Sequence, residues 1–302
     1  MAIVIGIGIF NLYHAVIGWT LADASAYWNA AWRIREGVPL YPPLTNLEAS
    51  DVYRYAPWFA WATVPFTQLP QAVAGALWSI ILVLASLAAL LPLIRERAWL
   101  LVALFGPILI GISANGNVQA LLIAVLVHGV ERRSGPIWIA LAASLKVFPV
   151  LLALTYAGRG EWRRFAFAIV LTGILWLPSL LYDLRYYPSN PGRVGALFEL
   201  PVLYVPVVIT ALAATLVLAQ TRLAWLSAST SLALALPRLF VYDCTYLMVG
   251  LNHVLRGASE SGSEPAALPE SLAVSGAVQP WRAAWSSDPA PSRQAKMPSR
   301  SR

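Results

Sequence analysis

Long apolar runs broken by short polar turns dominate the sequence. Such runs cover about 1–20, 72–94, 98–113, 117–130, 136–157, 165–182, 201–220, 223–241 and 244–255. A full bilayer crossing takes about 20 apolar residues. The shorter runs therefore predict tilted, broken or half-crossing helices. Residues 21–71 interleave aromatic, charged, Pro and Gly positions, and residues 257–302 are rich in Ser, Ala and Pro. From Asp23 to Glu36, the residues Tyr27, Ala30, Ala31 and Ile34 fall on one helical stripe, with Trp28 and Trp32 one turn apart. Gly37 and Pro39 stop that helix. Its tryptophans predict an interfacial helix at headgroup level. A second short helix starts near Pro57, and Pro70 opens the next span. The 257–302 stretch cannot bury a core and is expected to be a disordered tail.

Arginines in short turns set the orientation. Arg95-Glu96-Arg97, Glu131-Arg132-Arg133 and Arg159 to Arg164 all read as cytoplasmic. The last two conflict, because a single apolar run, 136–157, separates them. That run holds Lys146 near its middle and Pro149 just after it. A re-entrant pair of short helices, 136–146 and 147–157, removes the conflict; one full span with the third cluster outside is the alternative. With the broken pair, residues 21–71, 183–200 and Tyr242-Asp243 lie outside, and Thr221-Arg222 and the tail from Arg256 lie inside. The first run lacks a basic n-region and a small-x-small cleavage site, so it is expected to be a retained helix.

Composition narrows the class. Of 302 residues, 59% are apolar and 12% charged, and the mean hydropathy is +0.65. Soluble domains carry about 25% charged residues. The expected fold is therefore all-α: a polytopic transmembrane bundle over 1–256, with the first extracytoplasmic loop at 21–71. The net charge of +7 comes from turns and tail. No basic face with interleaved aromatics occurs, which argues against nucleic acid. The single cysteine, Cys244, rules out an internal disulfide and a CxxC metal site.

Few ionisable groups reach membrane depth. Lys146 is the only lysine before the tail. A lysine at the bilayer centre costs about 2.5–3.5 kcal/mol on insertion scales. Snorkelling or carboxylate pairing explains it structurally; contact with an anion such as phosphate explains it functionally, and a broken helix pair suits that role. Asp23 begins a helix, where an N-cap is the ordinary reading. Tyr27, one turn on, shares its face; its ordinary role is interfacial anchoring. Arg54, within YRYAPW, either contacts a phosphate or sugar or anchors the loop. Asn115, Asn117 and Gln119 make a polar spot at an external turn, where amides usually cap. His14 and His128 read as packing. Asp23, Arg54, Asn117 and Asp243 come from distant parts of the chain, yet the topology puts them on one face. There is no Asp-x-Asp pair, glycine-rich phosphate loop or Ser/His/Asp arrangement.

Four segments, in order, resemble glycosyltransferase family 87, membrane enzymes of the GT-C superfamily. DASAYWNAAWRIREGVPLY is similar to its Asp-x-x-x-Tyr opening, and VYRYAPWFAWATVPFTQLP to its Tyr-x-Tyr-x-Pro segment, followed by Trp78. ALAASLKVFPVLLAL is similar to its Ala-x-x-x-Lys-x-x-Pro run, and LPRLFVYDCTYLMV to its late Tyr-Asp helix. Together they span about 23–250. The family's external turn often reads Gly-Gln-x-Asn; Gly116-Asn117-Val118-Gln119 has the amides exchanged. Members usually carry further spans after the Tyr-Asp helix.

The resemblance implies a polyprenyl-phosphate-sugar-dependent transferase, often a mannosyltransferase, working at the extracytoplasmic face of the cell membrane. Its acceptor would be a glycan or glycolipid; nothing in the residue pattern looks like a metal site, and no cofactor is expected beyond the lipid-linked donor, which is a substrate. The resemblance makes Asp23 the general base of an inverting displacement. Lys146 and Arg54 would meet the leaving phosphate, while Tyr27, Tyr53 and Tyr55 would line the sugar or prenyl site. Tyr55, Asn117 and Asp243 complete the expected substrate-binding set. The competing expectations are a transporter or flippase and a truncated, non-catalytic family member.

Overall fold

A computed structural model of the chain describes Gly6 and residues 21–43, 52–188 and 199–262. Apart from Gly6, the expected first span lies outside the described residues, as do His14 and the expected tail beyond 262. Among the described residues every regular element is helical. The elements are α1 (Ala22–Arg35), α2 (Pro57–Thr63), α3 (Gln71–Arg95), α4 (Trp99–Ala114), α5 (Gln119–Gly129), α6 (Gly135–Leu145), α7 (Leu154–Gly158), α8 (Trp162–Trp176), α9 (Pro201–Leu218), α10 (Ala224–Ala235) and α11 (Leu247–Gly262). Short 3₁₀ turns precede α7 at Phe148–Ala153, follow α8 at Leu177–Leu181 and precede α11 at Val241–Tyr246.

Among the described residues, three helical stretches are long and apolar enough to cross a membrane: Gln71–Arg95, Trp162–Leu181 and Pro201–Leu218. The latter two leave most of their apolar surface exposed, including Val170, Leu203 and Val217, as lipid-facing helices do. Helix pairs lock through small polar side chains. Ser86 and Ser113 hydroxyls meet at 2.9 Å between α3 and α4. Thr215 and Ser231 meet at 2.8 Å between α9 and α10. Apolar solvent gives helices no drive to associate, so close packing and such bonds supply it.

The run at 136–157 is broken where Lys146 interrupts it. Lys146 is extended, with φ −134° and ψ 115°, between α6 and the 3₁₀ turn. The two arms form a hairpin. Tyr156, near the end of the second arm, donates from Oη to Val130 O at 2.5 Å, just before the first arm begins. A Cβ on Gly135 would lie 2.2 Å from that same Oη, so only glycine lets the arms close. Each arm has 11 residues. At 1.5 Å per residue a helical arm reaches roughly 16 Å, about half a hydrocarbon core.

The hairpin returns the chain to the side it left. Arg159 binds Glu131 at 3.2 Å, and Arg164 Nη2 donates to Arg132 O at 2.6 Å. The two arginine clusters that the linear pattern set in conflict thus share one end of the bundle. Trp225 Nε1 also donates to Glu131, which ties α10 to the same end.

Some boundaries differ from the sequence expectation. The run at 223–241 stops being α-helical at Ala235, because Pro237 forces Leu236 into extended backbone, φ −66° and ψ 123°. The run at 244–255 continues to Gly262. Ala258 and Glu260 are good helix formers and no proline intervenes, so the helical body extends six residues past the expected boundary at 256.

Candidate functional site

The site forms where α1 meets the turn between α4 and α5. That turn closes on Gly116, at φ +79°, where a Cβ would lie 2.6 Å from Ala24 Cβ and 2.8 Å from Ala24 N. Glycine thus serves both the left-handed backbone and the close approach. Asp23 N donates to Asn115 O at 3.1 Å, and Trp78 Nε1 of α3 donates to Gly116 O at 2.8 Å. The α4–α5 turn is thus held by the first turn of α1 and by α3.

Asp23 does not cap its helix. The N-cap is Leu21, and no side chain caps there. Instead Asp23 Oδ2 accepts from Asn117 Nδ2 at 3.0 Å. Asn117 Oδ1 in turn accepts from Gln119 N at 2.9 Å. Asn117, one residue before the Val118 N-cap, therefore satisfies the first backbone N–H of α5 and also holds the carboxylate. With both ends engaged, its orientation is fixed by the network.

Gln119 carries the network onward. Its Oε1 accepts from Lys146 Nζ at 2.8 Å, and its Nε2 donates to Thr245 Oγ1 at 3.1 Å. Lys146, at the tip of the broken hairpin, lies 3.8 Å from Asp243 Oδ1 and 4.6 Å from the Tyr242 ring centroid. Asp243 is held by its own turn, accepting from Phe240 N at 2.9 Å. Asp23, Asn117, Gln119, Lys146 and Asp243 thus form one connected set drawn from four parts of the chain.

Burial and charge set the electrostatics. Burial pushes the Asp23 carboxyl above its ordinary value; the Asn117 bond, Lys146 and Arg54 hold it back. Burial likewise raises Asp243, opposed by Lys146 and by the Phe240 N–H. Arg54 is half-buried, and the charges of Asp23 and Arg238 both act on it. Three cations, Lys146, Arg54 and Arg238, therefore act electrostatically on a region with two carboxylates, Asp23 and Asp243.

Tyrosines form the wall behind the carboxylate. Tyr27 Oη donates to Tyr55 Oη at 3.0 Å, and Val118 N donates to Tyr27 Oη at 3.4 Å. The Tyr27 ring meets those of Tyr55, Phe59 and Trp78 edge-on, at 5.1, 5.0 and 5.9 Å. Tyr187 Oη donates to Arg54 O at 3.0 Å, fixing the loop that carries Arg54. Beside this wall an apolar cavity of about 110 Å³ lies between α1 and α3, lined by Leu21, Trp28, Phe66, Gly75 and Trp78. Trp28 Nε1 is buried there without a hydrogen-bond partner.

The structure brings together Asp23, Tyr27, Tyr55, Asn117, Lys146 and Asp243, with Arg54 within electrostatic reach of Asp23. The Tyr27 and Tyr53 side chains are largely buried, and their hydroxyls are engaged within the protein, so only ring edges and faces remain for a ligand. Gln119 and Tyr242 are the participants that sequence reading left out of the site. Gln119 sits two residues after Asn117, so the cluster of amides was the available signal; its bond to Lys146 requires the hairpin. His128 lies half-buried, its Nε2 bonded to Ala88 O at 2.8 Å. Among the described residues, no group of three or more His, Cys, Asp or Glu gathers to hold a metal. Comparisons with protein-family models, with curated proteins and with solved structures each found no match to this chain.

Proposed function

We propose that this protein is an integral-membrane glycosyltransferase that moves a hexose from a polyprenyl-phosphate donor to a hydroxyl of an extracytoplasmic glycan or glycolipid. The observation that carries the reading is the connected set joining a half-buried carboxylate, Asp23, to a half-buried ammonium, Lys146, through Asn117 and Gln119. Displacement at an anomeric carbon needs a base on the incoming hydroxyl and positive charge at the departing phosphate. In this reaction the acceptor oxygen attacks the anomeric carbon as its proton passes to an Asp23 carboxylate oxygen. The bond from the anomeric carbon to the phosphate oxygen breaks, and its electron pair stays with the phosphate. The configuration inverts. Lys146 and Arg54 offset the charge gathering on the phosphate, and Asp243 and Gln119 keep Lys146 in place. The apolar cavity beside Trp28 and Trp78 suits the first isoprenoid units of the donor. The ordered resemblance to glycosyltransferase family 87 supports the same assignment of roles.

The test is a donor screen with purified protein in lipid, using a synthetic polyprenyl-phosphate mannose first. Asp23→Asn is expected to lower transfer about 10²–10⁴-fold, the range for a lost general base, with insertion and thermal stability retained. Near wild-type transfer by Asp23→Asn would overturn the mechanism. The broken hairpin with a charge at its tip also suits a transporter. Substrate flux across proteoliposomes without any glycosyl transfer would favour that second reading.

A further inference from the structure

A second cavity, of about 100 Å³, lies along α1 beside Tyr53. Ala26, Asn29 and Arg33 line it from α1, at spacings of three and four residues that share one helical face. Tyr41, Tyr53 and Tyr186 line it from the loops. The Tyr41 and Tyr53 hydroxyls are already committed to backbone, donating to Tyr55 O at 2.9 Å and to Ala56 O at 2.7 Å. What these tyrosines offer the cavity is ring surface, and their rings stack at 6.1 Å and 28°.

Polar chemistry comes from the helix side. Asn29 is half-buried and brings an amide donor and acceptor. Arg33 makes one long bond, from Nη1 to Pro39 O at 3.4 Å, and its guanidinium has further N–H donors. Among the described residues, no carboxylate lines this cavity. Aromatic surface beside one amide and one guanidinium matches a ring with an apolar C–H face and a rim of hydroxyls. A phosphate would call for converging cations, and this cavity offers one.

Position links it to the first site. Asn29 lies six residues beyond Asp23, roughly 9 Å along the helix axis. Tyr53 abuts Tyr55 at 5.6 Å, and Tyr55 bonds Tyr27 beside Asp23. We propose that this cavity is an acceptor subsite. It would hold the neutral sugar unit next to the one whose hydroxyl is presented to Asp23. The proposal rests on the glycosyltransferase reading for its role, but the binding it asserts is measurable without turnover.

The test places a thiol in the cavity. Asn29→Cys in a Cys244→Ser background is reacted with a methanethiosulfonate reagent, with and without mannobiose. Occupancy is expected to slow modification about fivefold at saturating sugar, and equally so when Asp23→Asn is added. Arg33→Cys serves as a second reporter should Asn29→Cys fail to fold. Unchanged rates at both positions, or protection by inorganic phosphate in place of the sugar, would overturn the subsite. If transfer proves absent or independent of Asp23, the glycosyltransferase reading fails while the protection result still stands or falls alone. Where transfer is present, Asn29→Leu is expected to lower kcat/KM for a disaccharide acceptor about tenfold, and a monosaccharide acceptor less.

Discussion

Asp23 illustrates what a single side chain can and cannot announce in a sequence. At a helix start its ordinary role is to cap, yet the carboxylate turns away from the helix and accepts from Asn117 across the turn. Nothing local to Asp23 encodes that bond; it depends on Gly116 letting the α4–α5 turn approach Ala24. The bond has a titration consequence. Burial raises the Asp23 pKa and the Asn117 bond is the largest influence lowering it. Asn117→Ala therefore raises it further. A general base acts in its deprotonated form, which is populated only above its pKa. The acid limb of kcat/KM is expected to move to higher pH in Asn117→Ala, with activity recovering as pH rises; a pH–rate profile against wild type reads this directly. An unmoved limb would mean that Asp23 is not the titrating base. Lys146→Met addresses the other end of the network. Under the proposed mechanism, loss of the ammonium removes the charge at the departing phosphate and is expected to cost about 10²–10³ in kcat, with Lys146→Arg retaining part of the activity.

At the scale of elements, the linear pattern was most informative where helices are long and uninterrupted. The expected runs at 72–94, 98–113 and 201–220 correspond to Gln71–Arg95, Trp99–Ala114 and Pro201–Leu218. Gly37, Pro57 and Pro70 mark the helix ends they were expected to mark, because each acts through its own backbone. The hairpin break at Lys146 was legible through charge bookkeeping and a nearby proline. Legibility fell where an element's end depends on a partner. The bond from Gln119 to Lys146 joins residues 27 positions apart, and no helical spacing points to it. Gly116 tests how far the site depends on element packing. An alanine there enters the left-handed region, at about 1–3 kcal/mol, and its Cβ meets the Ala24 backbone. Gly116→Ala is expected to lower the thermal midpoint in detergent and to reduce transfer more than stability alone explains, because Asp23 shifts with α1. A variant with full transfer and an unchanged midpoint would show that the α1 contact is not needed.

For the whole molecule, the hairpin decides the topology. If 136–157 were one full span, the turn at Glu131–Arg133 and the turn at Arg159–Arg164 would lie on opposite faces of the membrane. The structure joins them instead through Arg159–Glu131 and Arg164–Arg132, so both lie at one end of the helical bundle and are expected on one face of the membrane. Arg133 and Arg163 are exposed in these two turns. Arg185 is exposed at the far end of the stretch Trp162–Leu181. Cysteine replacements at these positions, each in a Cys244→Ser background, can be labelled with a membrane-impermeant maleimide in oriented membranes. Arg133→Cys and Arg163→Cys are expected to label together from one side, and Arg185→Cys from the other. The positive-inside tendency assigns the shared side to the cytoplasm. Opposite labelling at 133 and 163 would require Lys146 to sit within a full crossing, away from Gln119. That result would dismantle the connected set on which the glycosyltransferase reading depends. Labelling in the expected pattern leaves Lys146 at the tip of a half-crossing, joined to Asp23 through Gln119 and Asn117, as the proposed transfer between a lipid-linked phosphate and a glycan hydroxyl requires.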